Sequence, residues 1–186
     1  MEVTMNYDLV IHNGIILTEN KTDEVIENGL ICIQDTRIVQ IGSRLPDAPL
    51  PAATEVIDAR GGIIMPGLIN THTHLPMTLL RGLADDLPLD VWLNEHIFPA
   101  ENQHVNPEMV QAGTLLGVAE MLLSGTTTCC DGYFYEDHVA EALSQTGLRA
   151  VLGQGVIDFP APGVPDPSQN IQSAVDFLDR WENRQT

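Results

Sequence analysis

The chain has 186 residues, 44% apolar and 18% charged, and its 8 lysines and arginines stand against 26 aspartates and glutamates, a net charge of −18. The apolar share excludes a disordered or collagen-like chain, and the charge excludes a non-specific binder of nucleic acid and argues against an anionic membrane surface. No stretch approaches the roughly 18 to 20 apolar residues of a membrane span, the start at Met1 lacks a signal-peptide pattern, and Cys32, Cys129 and Cys130 form an odd set that suits a reducing cytoplasm.

Two styles of sequence meet near residue 65. Before it, short β-rich runs alternate with turn signals. Asp8–His12 leads into Asn13-Gly14, a tight-turn dipeptide, and then Ile15–Leu17. Gly29–Ile33 and Arg37–Ile41 flank Gln34-Asp35-Thr36, a hairpin signal, and Pro46, Pro49 and Pro51 mark a loop before the strand Glu55–Asp58. Residues 1–65 therefore read as a small antiparallel sheet domain. His12 reads as an ordinary histidine of an exposed edge strand.

After residue 65, strands alternate with helices, the pattern of βα units on a parallel sheet. Gly67–Asn70 is nearly all apolar, as expected of a strand buried on both faces. Leu89–Ile97 reads as a short helix. A firmer helix is capped by Asn106, opened by Pro107 and ended by Gly125, with Met109, Leu115, Leu116, Ala119, Leu122 and Leu123 as its apolar positions. Thr126–Asp131 is a second strand, His138–Gln145 its helix, and Leu148–Asp158 a third strand. Asp166 caps a last helix with the stripe Ile171, Ala174, Val175, Leu178 and Trp181. A closed (β/α)8 barrel needs eight such units and about 250 residues, and three are present here. Residues 66–186 therefore read either as a small doubly wound domain or as the front of a longer enzyme.

The most informative site is His72-Thr73-His74, at the end of the first βα strand. Alternation sends both imidazoles to one side and Thr71 and Thr73 to the other. Two imidazoles so placed can chelate a divalent metal, although two surface histidines would look the same, and catalytic zinc keeps about three protein ligands. Cys129-Cys130 inside an apolar strand reads as packing. The signatures of nucleotide-cofactor loops, serine hydrolases and the other zinc-deaminase architecture are absent.

The run Met65-Pro66-Gly67-Leu68-Ile69-Asn70-Thr71-His72-Thr73-His74-Leu75-Pro76-Met77-Thr78-Leu79-Leu80-Arg81-Gly82 resembles the first barrel strand of the metal-dependent amidohydrolase superfamily. Its Asn before H-x-H and the following Pro-Met-Thr-Leu-Leu-Arg-Gly resemble the aminohydrolase branch that deaminates 5-methylthioadenosine and S-adenosylhomocysteine, with triazine hydrolases close behind. The resemblance covers the whole chain. It implies an incomplete (β/α)8 TIM barrel, its first three units at 66–186, preceded by part of a small β-sandwich at 1–65. It further implies that His72 and His74 are ligands of one Zn²⁺ or Fe²⁺, that Trp92 packs on a nucleoside substrate, and that Glu101 binds its ribose. By residue type, Trp92 is equally a helix core residue, and Glu101, following Pro99 at a helix end, equally a solvated carboxylate.

The family's remaining ligands and its acid/base groups match nothing before Thr186, so no catalytic residue is assigned and the chain alone is expected to be inactive. His96, His104 and His138 read as surface histidines. Family members often carry arginines in or just after the third strand, where this chain offers Gln154, which leaves the exact substrate open; the rival within enzymes is hydrolysis of another ring substituent, as in guanine or triazine hydrolases. The resemblance also allows a homo-oligomer of the full-length enzyme. A non-catalytic module that folds alone is the rival from another class.

Overall fold

The computed structural model describes residues 6–182, and the chain divides after Pro66 into two compact units. The opening Met1–Met5 stretch and the terminal Asn183–Thr186 lie outside the described residues.

The first unit is a single sheet of β1 (Tyr7–Leu17), β2 (Val25–Gln34), β3 (Arg37–Ser43), β4 (Ala53–Asp58) and β5 (Ile63–Ile64), ordered β3-β2-β1-β4 with β5 also on β1. β2 pairs antiparallel with both β1 and β3, whereas β4 and β5 run parallel to β1. The sheet is thus mixed, not the antiparallel one expected, because the proline-bearing connection before β4 returns the chain to the starting end. The hairpin falls as expected: Gln34 pairs with Arg37, and Asp35 takes a φ of 52°. Asn13-Gly14 makes no turn. β1 continues through it as a bulge, with Asn13 at φ 59° and its amide donating to Asp58 Oδ1 at 2.7 Å. An Asn that tolerates positive φ serves a bulge as well as a hairpin. β1 is consequently interior, so His12 is not on an edge, and its Nδ1 is buried without a hydrogen-bond partner. Val10, Leu30 and Cys32 form the core.

The second unit carries three parallel strands in the order β6 (Leu68–Thr73), β7 (Thr126–Tyr133), β8 (Arg149–Gln154). Between β6 and β7 come a 3-10 turn at Leu75–Leu80 and a helical run of α1 (Leu89–Val91), a π-helical stretch Trp92–Ile97 and α2 (Phe98–His104), then α3 (Pro107–Leu123). α4 (Glu136–Ser144) follows β7, and α5 (Asn170–Trp181) follows β8. The buried core joins Leu75, Val110 and Val118 to Cys129 and Tyr133 of β7 and to Val139 and Leu143 of α4. Arg180 ties α5 to α4 through a two-pronged bond to Asp137 at 2.9 and 2.6 Å, with Trp181 Nε1 on the same carboxylate at 2.7 Å. Among the described residues no helix is long and apolar enough to cross a membrane, and the three cysteines are free.

Several expectations about buried faces fail here. Leu68 and Ile69 are 50% and 67% exposed, since β6 pairs only with β7 and forms an edge. In α3 the cap at Asn106 and the φ of 83° at Gly125 are as read, yet Leu115, Leu116, Leu122 and Leu123 are exposed. The buried face is instead Val110, Gly113, Thr114, Gly117 and Val118. In α5 the buried apolar residue is Phe177, and Ile171, Val175 and Leu178 of the expected stripe are exposed.

The small residues of α3 have a purpose: they let the helix lie directly on the turn that follows His74. A Cβ at Gly113 would drive into the Pro76 backbone, and one at Gly117 into the Leu75 side chain. Because backbone cannot swing aside, Gly113→Ala should destabilise the fold by about 1–3 kcal/mol despite its better helix propensity. Chemical denaturation would show this as a lower midpoint; an unchanged or raised midpoint would contradict the close-approach account.

Candidate active site

The end of β6 departs from regular pairing. Asn70 faces Cys129 and Thr73 faces Asp131, so three steps on β6 match two on β7 and a bulge lies at Thr71-His72. The freed N–H of His72 donates to Asn70 Oδ1 at 3.3 Å. Bulges re-aim side chains and favour sites of this kind. Here the exposed rings of His72 and His74 stand edge to face with centroids 4.9 Å apart.

His74 Nδ1 lies 2.5 Å from the Gly132 carbonyl oxygen. A carbonyl only accepts, so Nδ1 carries the hydrogen and the lone pair sits on Nε2. A backbone carbonyl holding one ring nitrogen while the other is presented outward is the usual arrangement of a metal-binding histidine. Two imidazoles side by side, one of them held through Nδ1 by a backbone carbonyl, fit a borderline divalent ion such as Zn²⁺ or Fe²⁺. Among the described residues no cluster of three or more His, Cys, Asp or Glu groups could hold a metal, so these two donors stand alone.

Beside His74 opens an apolar cavity of about 270 Å³, walled by Met77, Trp92, Ile97, Phe98, Phe134 and Ile157, with Glu101 and Tyr133 also lining it. It brings together three of the four residues singled out in the sequence: His74, Trp92 and Glu101. Trp92 is only half-buried, its Nε1 donating to the Leu83 carbonyl at 3.3 Å. Glu101 is neither at a helix end nor solvated: it lies within α2 at 5% exposure. The helix survives Pro99 because the π-helical turn before it re-registers the ladder, Phe98 N–H bonding back to the Leu93 carbonyl. Glu101 Oε1 accepts from the Tyr133 hydroxyl at 2.7 Å, and burial raises the Glu101 pKa against the opposing pull of that bond and of His74. A broader depression of about 720 Å³ on the first unit, near Thr18, Glu24 and Ser43, offers no imidazole or thiol.

Beneath His74 lie groups that sequence reading missed. Asp131 Oδ1 accepts from Thr73 Oγ1 at 2.6 Å and from Leu75 N at 2.7 Å. Glu136 Oε1 accepts from Tyr133 N at 2.7 Å, and Gln154 Oε1 accepts from Glu136 N at 3.2 Å. Gln154, which stands in the region where family members often carry arginines, is engaged here with the Glu136 backbone. Burial, with the Asp131 charge next in weight, pushes the Glu136 carboxyl up to about 9. Of the vicinal cysteines, Cys129 is packed, its thiol raised to about 11 by burial foremost, whereas Cys130 is exposed. His96 and His104 do not line the cavity, and His138 contacts Glu141 and Gln111.

Parallel βα units whose first strand ends in paired imidazoles beside an apolar cavity define an amidohydrolase-type chain. The amidohydrolase family matches residues 63–185, and the chain belongs to that family. More particularly, it is 42% identical over 185 residues to a 5-methylthioadenosine/S-adenosylhomocysteine deaminase of Thermodesulfovibrio yellowstonii, covering 96% of this chain and 41% of that protein. It is 53% identical over 134 residues to a 5'-deoxyadenosine deaminase of Methanothermobacter thermautotrophicus, covering 72% of this chain and 30% of that one. Among solved structures, an adenosine deaminase from Xanthomonas campestris with bound zinc superposes with a TM-score of 0.90 at 37% identity, over 96% of this chain and 41% of its own. The chain spans about two fifths of the length of the first of these relatives.

The raised carboxyl of Glu136 sets a pH dependence. Its folded pKa exceeds its unfolded one, so the folded state binds the proton more tightly and this group's contribution to stability declines as pH rises from about 4.5 towards about 9. Glu136→Gln, which cannot ionise, should flatten that decline in denaturation midpoints measured across the interval. An equal slope in both proteins would contradict the assignment.

Proposed function

We propose that this chain supplies the metal corner and one wall of the ligand pocket of a metal-dependent aminohydrolase that removes the amino group of an adenine nucleoside such as 5-methylthioadenosine or S-adenosylhomocysteine. In this reading residues 66–186 are the first three units of a (β/α)8 barrel, and 1–65 are part of a small β-sandwich. The observation that carries it is the meeting of His74, Trp92 and Glu101, distant in sequence, in one cavity. The three relatives described above, at 37–53% identity, are named as adenosine-type deaminases, which favours the nucleoside class.

His72 and His74 would hold one divalent ion, Zn²⁺ before Fe²⁺, through ring nitrogens. Such an ion, when bound, lowers the pKa of water towards about 7 and makes hydroxide available at neutral pH. The chain's own residues prepare for this. Gly132 fixes the His74 tautomer so that no proton need leave Nε2. Trp92 and its apolar neighbours exclude water and offer a flat face to a purine or thioether. Glu101 accepts from the ribose hydroxyls, and the Tyr133 hydroxyl on Oε1 keeps its carboxylate turned to the cavity. The further ligands and the acid/base group are assigned to no residue of this chain, and the isolated chain is expected to be inactive. The free cysteines and acidic composition favour a cytoplasmic setting.

The protein expressed from its complete coding region should release ammonia from 5-methylthioadenosine, S-adenosylhomocysteine or adenosine. His72→Ala should abolish turnover together with bound metal. Glu101→Ala should weaken nucleosides bearing both ribose hydroxyls by roughly 10- to 100-fold more than their deoxy analogues, since a hydrogen bond to a charged group is worth about 1.5–3 kcal/mol. An unchanged ribo/deoxy preference would remove the ribose role. Activity on a triazine or guanine alone would overturn the nucleoside assignment.

A further inference from the structure

We propose that Asp131 and Glu136 share one hydrogen between their carboxyl groups and, as a pair, position both halves of the site, the His74 imidazole and the Glu101 carboxylate. This rests on the metal reading of His72 and His74. Both are positioning residues: neither lines the cavity, and each acts through another group.

Asp131, 3% exposed, takes hydrogen bonds from the residues on either side of His74, the Thr73 hydroxyl and the Leu75 N–H. Its neighbour Gly132 takes the ring hydrogen of His74 itself. The imidazole and both flanking residues therefore hang from two consecutive residues of β7. Glu136, 0% exposed, accepts from Tyr133 N, and Tyr133 is the residue whose hydroxyl holds Glu101. One oxygen of each carboxyl is thus used. The other two, Asp131 Oδ2 and Glu136 Oε2, are buried with no hydrogen-bond partner, and each carboxyl group is close enough to act on the other's protonation. Two buried oxygens that only accept would repel and leave two acceptors unsatisfied; one hydrogen between them satisfies both. The upward shift of the Glu136 carboxyl agrees with its being the neutral member.

One shared hydrogen has a signature in amide substitutions. In Glu136→Gln, the amide oxygen still accepts from Tyr133 N and the NH₂ donates to Asp131. In Asp131→Asn, the amide oxygen keeps Thr73 and Leu75, and the NH₂ donates to an ionised Glu136. In the double variant two NH₂ groups face each other with no acceptor.

The test measures zinc affinity by chelator competition on the protein from its complete coding region, with circular dichroism to monitor folding. Both single variants should bind zinc close to wild type. Asp131→Ala and the double variant should lose on the order of 10- to 100-fold, the range for removing the support of a ligating histidine. A double variant that cannot fold, beside two single variants that fold and bind, supports the shared hydrogen as well. A double variant binding as wild type, or either single variant as weak as the double, overturns the proposal. If wild type and His72→Ala bind zinc equally poorly, the metal reading itself falls and takes this proposal with it.

Discussion

Asp131 is a carboxylate sunk at the end of β7, and such burial is tolerated only where hydrogen bonds replace water. It finds them at the end of the neighbouring strand and in the turn that follows, where the β6–β7 ladder loses its register between Asn70 and Thr73. The side-chain bonds to Thr73 and Leu75 take over where backbone pairing stops. They fix the departure of the chain into the 3-10 turn, which in turn receives the small face of α3 at Gly113 and Gly117. The exposed His74 imidazole is thus fixed from below, by β7, as well as meeting the His72 ring edge to face.

Glu101 and Asp131 illustrate two ways to keep an acid indoors. Glu101 is relieved by one phenol and faces a cavity into which a ligand can bring further donors. Asp131 faces the sheet, and its donors are all supplied by the protein. The first arrangement leaves capacity unused and suits recognition. The second is spent on the strand and turn beside it and suits architecture.

What sequence conveys here follows the range of the interactions. The Asp35-Thr36 hairpin and the Asn106 cap are set by bonds within a few residues, so local chemistry reveals them. Asn13-Gly14 misleads because positive φ serves bulge and turn alike. The α3 face misleads because hydropathy favours Leu115 and Leu122 over Gly113 and Thr114, and close backbone approach leaves no apolar signal. Pro99 suggests a helix end, since nothing in the residues announces the π-helical turn that accommodates it. His72 and His74 are legible as a pair because strand period and motif agree. Asp131, Glu136 and Tyr133 are not, because what makes them informative is a set of partners such as Thr73, 58 positions away.

The π-helical turn between Trp92 and Ile97 carries a consequence for lineage. Such a turn holds one residue more than an α-helix would at the same place, and the indole stands at its start and the carboxylate after it. Deleting one residue there would return the stretch to an α-helix with the segments on either side still in phase, whereas the same deletion within α2 before Glu101 would turn that carboxylate by about 100° about the helix axis, since an α-helix takes 3.6 residues per turn. The π-helical stretch is therefore the place where this helical run can change length while Trp92 and Glu101 go on facing one cavity.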